Sequence, residues 1–215
     1  MQPIRTGGYL NVLNERHRCN DPQQTIRVST LMRVHRPRTE EAMLQLLDAH
    51  LHTACALCPE RARHGGLNAW KLKLWHLAQT DDSAAARAIT QADVDAFVYD
   101  LYVKSPVRGF EFEDFAVTWL RNHGYYARLA TPEEDCRYAV DVVVLHRYSS
   151  AVLAGVQVKP NSYRYVRPDV HALNQAKNVL AGYPVFYLYY DNTGRWLEST
   201  LIPLLWDLVS YIRYY

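Results

Sequence analysis

The run Ala139-Val140-Asp141-Val142-Val143-Val144-Leu145 admits few structures. It is apolar except for Asp141, and its valines favour a strand over a helix. A sheet interior rejects an unpaired carboxylate. Asp141 is therefore paired, bound to a metal ion, or placed at the strand end. The run Val156-Gln157-Val158-Lys159-Pro160 poses the same question. Side chains alternate along a strand, so Gln157 and Lys159 share one face and Val156 and Val158 take the other. The chain has only five lysines against nineteen arginines, and Lys159 lies in the segment least suited to a lone ammonium. Pro160 ends ladder donation just after it. Pairing of the two strands would bring Asp141, Gln157 and Lys159 to one sheet edge. A buried Asp–Lys bridge adds little net stability, so a chemical role explains it better than a structural one.

The flanking segments supply the rest of a sheet. Residues 109–123 read as a helix with Phe112, Phe115, Ala116, Trp119, Leu120 and His123 on one side, stopped by Gly124. Tyr138–Leu145 reads as a first strand, Ser149-Ser150 as a turn and Val152–Lys159 as a second strand. Pro168 opens a helix through Val170–Leu180. Val185–Tyr190 reads as a third strand, Trp196–Leu201 as a fourth, and Leu204–Tyr215 as a last helix. The first two strands can form a hairpin, and the helical crossover makes the next pair parallel. The result is a mixed α/β sheet with helices on its faces.

The N-terminal part reads as mostly helical. Thr39 caps a helix that runs to about Ala62, with Glu40 and Glu41 at its positive end. A second helix spans Leu67–Gln79. Thr90 and Asp93 form a capping box that opens a third, which Pro106 ends. Residues 1–38 read as loop, with one short strand or helix around Thr25–Val34. Two domains are expected, a helical 1–105 and an α/β 106–215.

Charge is uneven. Residues 1–80 carry a net +5 and residues 81–138 a net −5. Arg18, Arg27, Arg33, His35, Arg36 and Arg38 cluster with no acid between Arg27 and Arg38, which suits either phosphate contact or a solvated surface. Several classes drop out. The composition, 49% hydrophobic and 21% charged, excludes wholesale disorder. No apolar run reaches the roughly 18 residues of a membrane helix. The first residues lack a signal-peptide pattern. No GxxxxGK[ST] phosphate loop occurs. Four cysteines make no disulfide framework, so a reduced, cytoplasmic protein is expected. Cys55 and Cys58, near His50, His52 and His64, fall at helical i, i+3 spacing and read as buried thiols rather than a zinc site.

Taken together, the residues resemble the PD-(D/E)xK nuclease superfamily, whose fold is restriction-endonuclease-like. The helix carries Gly109-Phe110-Glu111-Phe112-Glu113, then Ala116, Leu120 and Gly124-Tyr125, similar to the opening helix of Mrr-type and junction-resolvase-like members. Asp141 and Gln157-Val158-Lys159 match the strand motifs, with Gln157 standing where most members carry an acid, as some Mrr-like members also do. The resemblance covers about residues 107–190. It implies a Mg²⁺-dependent DNA endonuclease with Asp141, Gln157, Lys159 and Glu113 as catalytic residues. Asp141, Glu113 and the Val158 carbonyl would be the metal ligands, with Glu111 and Asp114 as fallback carboxylates. A restriction enzyme acting on DNA as a homodimer is the expected role. A structure-specific junction or repair nuclease is one alternative, and a non-catalytic binding module that keeps the fold is another.

The chemistry suits these residue types. Phosphodiester hydrolysis builds negative charge on phosphate oxygens, which a divalent ion and an ammonium offset. Mg²⁺ takes oxygen ligands and keeps several waters, so one or two carboxylates suffice. Tyr163, Arg164 and Arg167, after the second strand, mix aromatics with cations and suit nucleic-acid contact, as do Arg33, Arg36 and Arg38. Gln175 and Lys177 read as a solvated helix face, and Glu133-Glu134-Asp135 as a solvated acidic turn.

Overall fold

Among the described residues of the first hundred, apolar residues at helical spacing form packed helices. A computed structural model describes residues 6–17, 28–52, 66–165, 168–191, 193–197 and 201–213. The chain divides into two units, Met1–Arg108 and Gly109–Tyr215. The first contains α1 (Thr6–Arg16), α2 (Val28–His35), α3 (Glu40–His52), α4 (Gly66–Thr80), the short α5 (Ala84–Arg87) and α6 (Gln91–Tyr99). Its core gathers Leu10, Leu13, Met43, Leu74, Val94 and Val98, all buried. Trp70 packs its ring 3.6 Å from that of Tyr102 and donates from Nε1 to the buried Asn14 at 3.3 Å. Thr39 caps α3 by accepting from the Ala42 N–H, and the Thr90–Asp93 capping box opens α6.

Two expectations for this unit need correction. Residues 6–16 are a helix, although they were read as loop. Leu10 and Leu13 bury against the other helices, and that packing outweighs the low propensity of Gly7-Gly8. Pro106 does not end the third helix. A π-turn at Asp100–Lys104, closed by the Ser105 N–H on the Asp100 carbonyl, leads straight into α7 (Ser105–Asn122). The wider turn accommodates a residue that lacks a donor and crowds a regular α-turn.

The second unit continues from α7 through β1 (Tyr126–Leu129), α8 (Pro132–Tyr138), β2 (Val142–Leu145) and β3 (Val152–Pro160). A 3₁₀ turn (Asn161–Tyr165), α9 (Pro168–Val179), β4 (Val185–Tyr190) and α10 (Leu201–Arg213) complete it. The sheet order is β1-β2-β3-β4. The first two pairings are antiparallel and β3–β4 is parallel, across the α9 crossover. The fold is thus mixed α/β, as the sequence predicts. One sheet face, with Val142, Val144, Val156 and Leu188, packs with Phe112 and Leu120 of α7 and Leu205 of α10. By alternation Gly155, Gln157 and Lys159 lie on the other face.

The first strand is shorter than expected. Tyr138 ends α8, and Ala139 takes a left-handed conformation (φ 52°) before the chain enters β2. Pro132 at the first turn and a Thr131–Glu134 capping box nucleate a helix where an acidic turn was expected. The strand β1 was not anticipated. Of the fourth strand expected over Trp196–Leu201, Trp196 forms an isolated bridge to Tyr190 and Leu201 opens α10, while residues 198–200 lie outside the described residues.

Glu134 also holds Arg128 of β1 through two hydrogen bonds, of 2.7 and 2.9 Å. The guanidinium lowers the carboxyl from 4.5 to about 2, and the Thr131 N–H assists. A lowered carboxyl stabilises the fold above its ordinary pKa and loses that contribution as pH falls. Arg128 keeps 37% of its side chain exposed, so screening limits the gain to about 1–2 kcal/mol. Glu134→Gln is expected to lose that amount at pH 7. The difference from wild type should vanish between pH 4.5 and about 2, as followed by urea unfolding.

Gly155 sits where β3 passes close under its neighbours. A Cβ there would lie 2.9 Å from one Val140 methyl carbon and 3.1 Å from the Tyr183 ring. Gly155→Ala is expected to destabilise by about 1–3 kcal/mol through overpacking, measured by denaturant melts.

Candidate active site

Asp141 lies at the bend that enters β2, with 6% of its surface exposed. Of the readings open for it, strand end and pairing both hold. Its N–H donates to the Val156 carbonyl at 3.0 Å, which anchors the bend to β3. Its Oδ2 accepts from the Val158 N–H at 2.7 Å and from Lys159 Nζ at 2.8 Å. The two strands therefore bring the carboxylate and the ammonium to one edge, as the alternation predicts.

Burial works against the Lys159 charge, but Asp141, Glu113 and Asp135 together outweigh it and raise the Lys159 pKa above the usual lysine value. The Lys159 side chain retains 25% exposure, against 7% for Asp141, so the ammonium faces the solvent side of the pair. Glu113 is half-buried on α7 and belongs to this electrostatic environment. Glu111 is exposed on the same helix, and Asp114 is half-buried. Asp135 belongs to this environment too: the sequence predicts a solvated turn there, and the folding of α8 brings it within range of Lys159.

Gln157 is fully buried. Its side-chain amide meets that of Asn178 on α9 at 2.9 Å, and its Oε1 is buried. The Asn178 amide also lies 3.2 Å from the Tyr187 hydroxyl. Asn178 was not singled out from the sequence, although Asn174 and Asn178 stand at i, i+4, a spacing that places both on one helix face. Of its neighbours, Gln175 is exposed, and Lys177 donates to the Cys136 carbonyl at 3.2 Å instead of standing in solvent.

The nucleic-acid candidates fall in both units. Arg33 and Arg36 are half-buried at the end of α2, and Arg38 is exposed beyond it. Tyr163 stacks on Tyr187 with ring centroids 6.1 Å apart, and its hydroxyl accepts from Asn174. Arg164 lies over the Tyr189 ring at 4.2 Å, and Tyr189 is the register partner of Lys159. Arg18, Arg27, Arg167, Cys55, Cys58 and His64 lie outside the described residues.

The oxygen donors suit a hard divalent cation. Among the described residues, no three His, Cys, Asp or Glu side chains gather at metal-binding range, which disfavours a zinc-type cluster there. Asp141, Glu113 and the buried amide oxygen of Gln157 instead match an ion that keeps several waters.

Helices on both faces of a mixed sheet, with an Asp entering one strand and Gln-x-Lys on the next, define a restriction-endonuclease-like fold of the PD-(D/E)xK type. The profile of the MjaI restriction endonuclease family matches residues 8–195, and the chain belongs to that family. It is therefore a nuclease of a family that acts on DNA. The match begins in α1, so the likeness extends well beyond the 107–190 covered by the sequence motifs. No curated protein and no solved structure shows significant similarity to the chain. No helix among the described residues is long and apolar enough to cross a membrane.

Proposed function

We propose that the chain is a Mg²⁺-dependent restriction endonuclease whose centre is built from Asp141, Glu113, Gln157 and Lys159. The observation that carries this reading is the 2.8 Å approach of Lys159 Nζ to Asp141, with the buried Gln157 on the same face of β3 as Lys159. Asp141, Glu113 and Gln157 Oε1 would hold the ion. Val158 adds its backbone carbonyl, because a strand residue turns its N–H and C=O to the same side and the Val158 N–H already faces Asp141. A bound Mg²⁺ supplies Lewis-acid stabilisation and an acidified water.

The chain's own residues do the rest. Lys159 orients the attacking water and offsets charge developing on the scissile phosphate. Asp141 keeps that ammonium in place, and the Val158 N–H fixes the carboxylate. Arg164 is exposed beside Tyr189, and with Arg167 it suits contact with the DNA backbone. Arg33, Arg36 and Arg38 of the helical unit add to this, giving residues 1–105 a part in DNA recognition or dimer contacts. Cutting both strands of a symmetric site fits a homodimer working in the cytoplasm.

The test is cleavage of duplex DNA by the purified chain. Cleavage with Mg²⁺ that EDTA and Asp141→Asn each abolish is the expected result. Metal-independent cleavage, or cleavage of four-way junctions alone, overturns the reading.

A further inference from the structure

We propose that the pocket where β1 begins and β2 ends is a second binding site, one for a phosphate group, with Arg121 and Arg147 as the cations that hold it. The site stands apart from Asp141 and does not depend on a metal ion there.

The strands place it. Asp141 leads into β2 at one end, and Leu145 closes the strand at the other, as the register partner of Tyr126. At about 3.3 Å per residue, the two ends lie roughly 13 Å apart. A pocket of about 590 Å³ opens at the Leu145 end, and Arg121, Tyr125, Tyr126, Arg128 and Arg147 are among its walls. No Asp or Glu lines it.

Three guanidiniums around one pocket repel one another unless anions offset them. Glu134 answers Arg128 through two hydrogen bonds. The other two have no such partner among the described residues. Arg121 donates from Nε to the Ala127 carbonyl at 2.9 Å, which ties it to β1 and leaves its terminal N–H groups for a ligand. Arg147 is exposed, and its guanidinium lies over the rings of Tyr126 and Tyr148, at 5.9 and 5.6 Å. A ring face steadies the cation while the N–H donors at its edge stay free. Two such forks suit a phosphate, which offers more oxygens than a carboxylate and can engage both at once. Two sources carry that group. One is the DNA backbone away from the cut, with a phosphate for every 3.4 Å or so of axis on each strand. The other is a small phosphorylated molecule.

Binding is measured in EDTA, so the outcome does not depend on cleavage or on the cation-binding reading of Asp141. Calorimetry with pyrophosphate is one arm, and fluorescence anisotropy with a short labelled duplex is the other. Urea unfolding checks each variant. Arg121→Gln and Arg147→Gln are each expected to weaken pyrophosphate binding about tenfold or more, the scale of a lost charge-assisted hydrogen bond. Arg87→Gln, the same charge change on α5 of the helical unit, should bind as wild type does. A double Arg121→Gln, Arg147→Gln variant whose duplex binding is weaker, with a salt dependence flatter by about two phosphate contacts, identifies the DNA backbone as the ligand. Unchanged duplex binding beside lost pyrophosphate binding identifies a small phosphorylated molecule. A folded Arg147→Gln variant that matches wild type in both arms overturns the proposal, as do equal losses from Arg87→Gln. The Arg147 guanidinium bonds to no backbone group among the described residues, so that variant keeps the test open even if Arg121→Gln fails to fold.

Discussion

Lys159→Ala is expected to lower the rate of DNA cleavage by about 10²–10³-fold or more, the scale for removing one preorganised charge from a reacting centre. The ammonium is the group beside Asp141 that retains solvent access, with 25% of its side chain exposed. In the proposed mechanism, its loss removes the positive charge that offsets charge on the scissile phosphate. It also leaves the Asp141 carboxylate, at 7% exposure, with the Val158 N–H as its remaining strong partner. Removing one member of a buried pair destabilises, here by about 1–3 kcal/mol because water can follow the missing side chain. Activity and stability must therefore be read together. Single-turnover cleavage with enzyme in excess is compared with urea unfolding of the same sample. A folded variant that cleaves within tenfold of wild type would falsify the role given to Lys159. The raised pKa adds a sign. Stability from a raised lysine is present below the usual value of 10.5 and is lost only as pH rises beyond it. Alkaline loss of the Asp141 pair is therefore expected above that value, and none near neutrality.

Phe112→Ala is expected to cost about 3–5 kcal/mol, the range for deleting a buried aromatic side chain. Phe112 is 7% exposed and stacks on Tyr190 at 3.7 Å with an interplanar angle of 16°. Its ring also meets Trp196 edge-on at 5.9 Å. It pins α7 to the sheet one residue before Glu113, so its loss also loosens the placement of that carboxylate. The expected result is a lower midpoint in denaturant and, if Glu113 serves as proposed, a higher Mg²⁺ concentration for half-maximal cleavage. A change in stability below about 1 kcal/mol would show that α7 is held by other contacts.

Local chemistry made much of this molecule legible. Val185–Tyr190 forms a strand over its expected residues, and Pro168 opens α9. The Thr90–Asp93 box opens α6, because capping depends on neighbours a few residues away. The elements that were missed depend on distant partners. The helix α1 has a weak pattern and gains its stability from residues such as Met43 and Leu74. The short β1 exists because β2 offers it an edge, with Ala127 opposite Val144. Tyr138 and Ala139 looked like strand until the box at Thr131 claimed the segment for α8. A weak local preference yields wherever tertiary contacts or caps outweigh it.

The site divides along the same line. A sheet interior rejects an unpaired carboxylate, so the sequence pointed to pairing, a metal ion or a strand end for Asp141, and the fold supplied the strand end and the pairing with Lys159. The period of two placed Gln157 beside them. Asn178 and Asp135 were decided only by folding. They arrive on α9 and α8, and nothing in their own segments announces the strand they meet. Charge neutrality and strand periodicity act through near neighbours and can be read along the chain. The partner that a buried amide meets is chosen across space, by a helix that the sequence alone does not position.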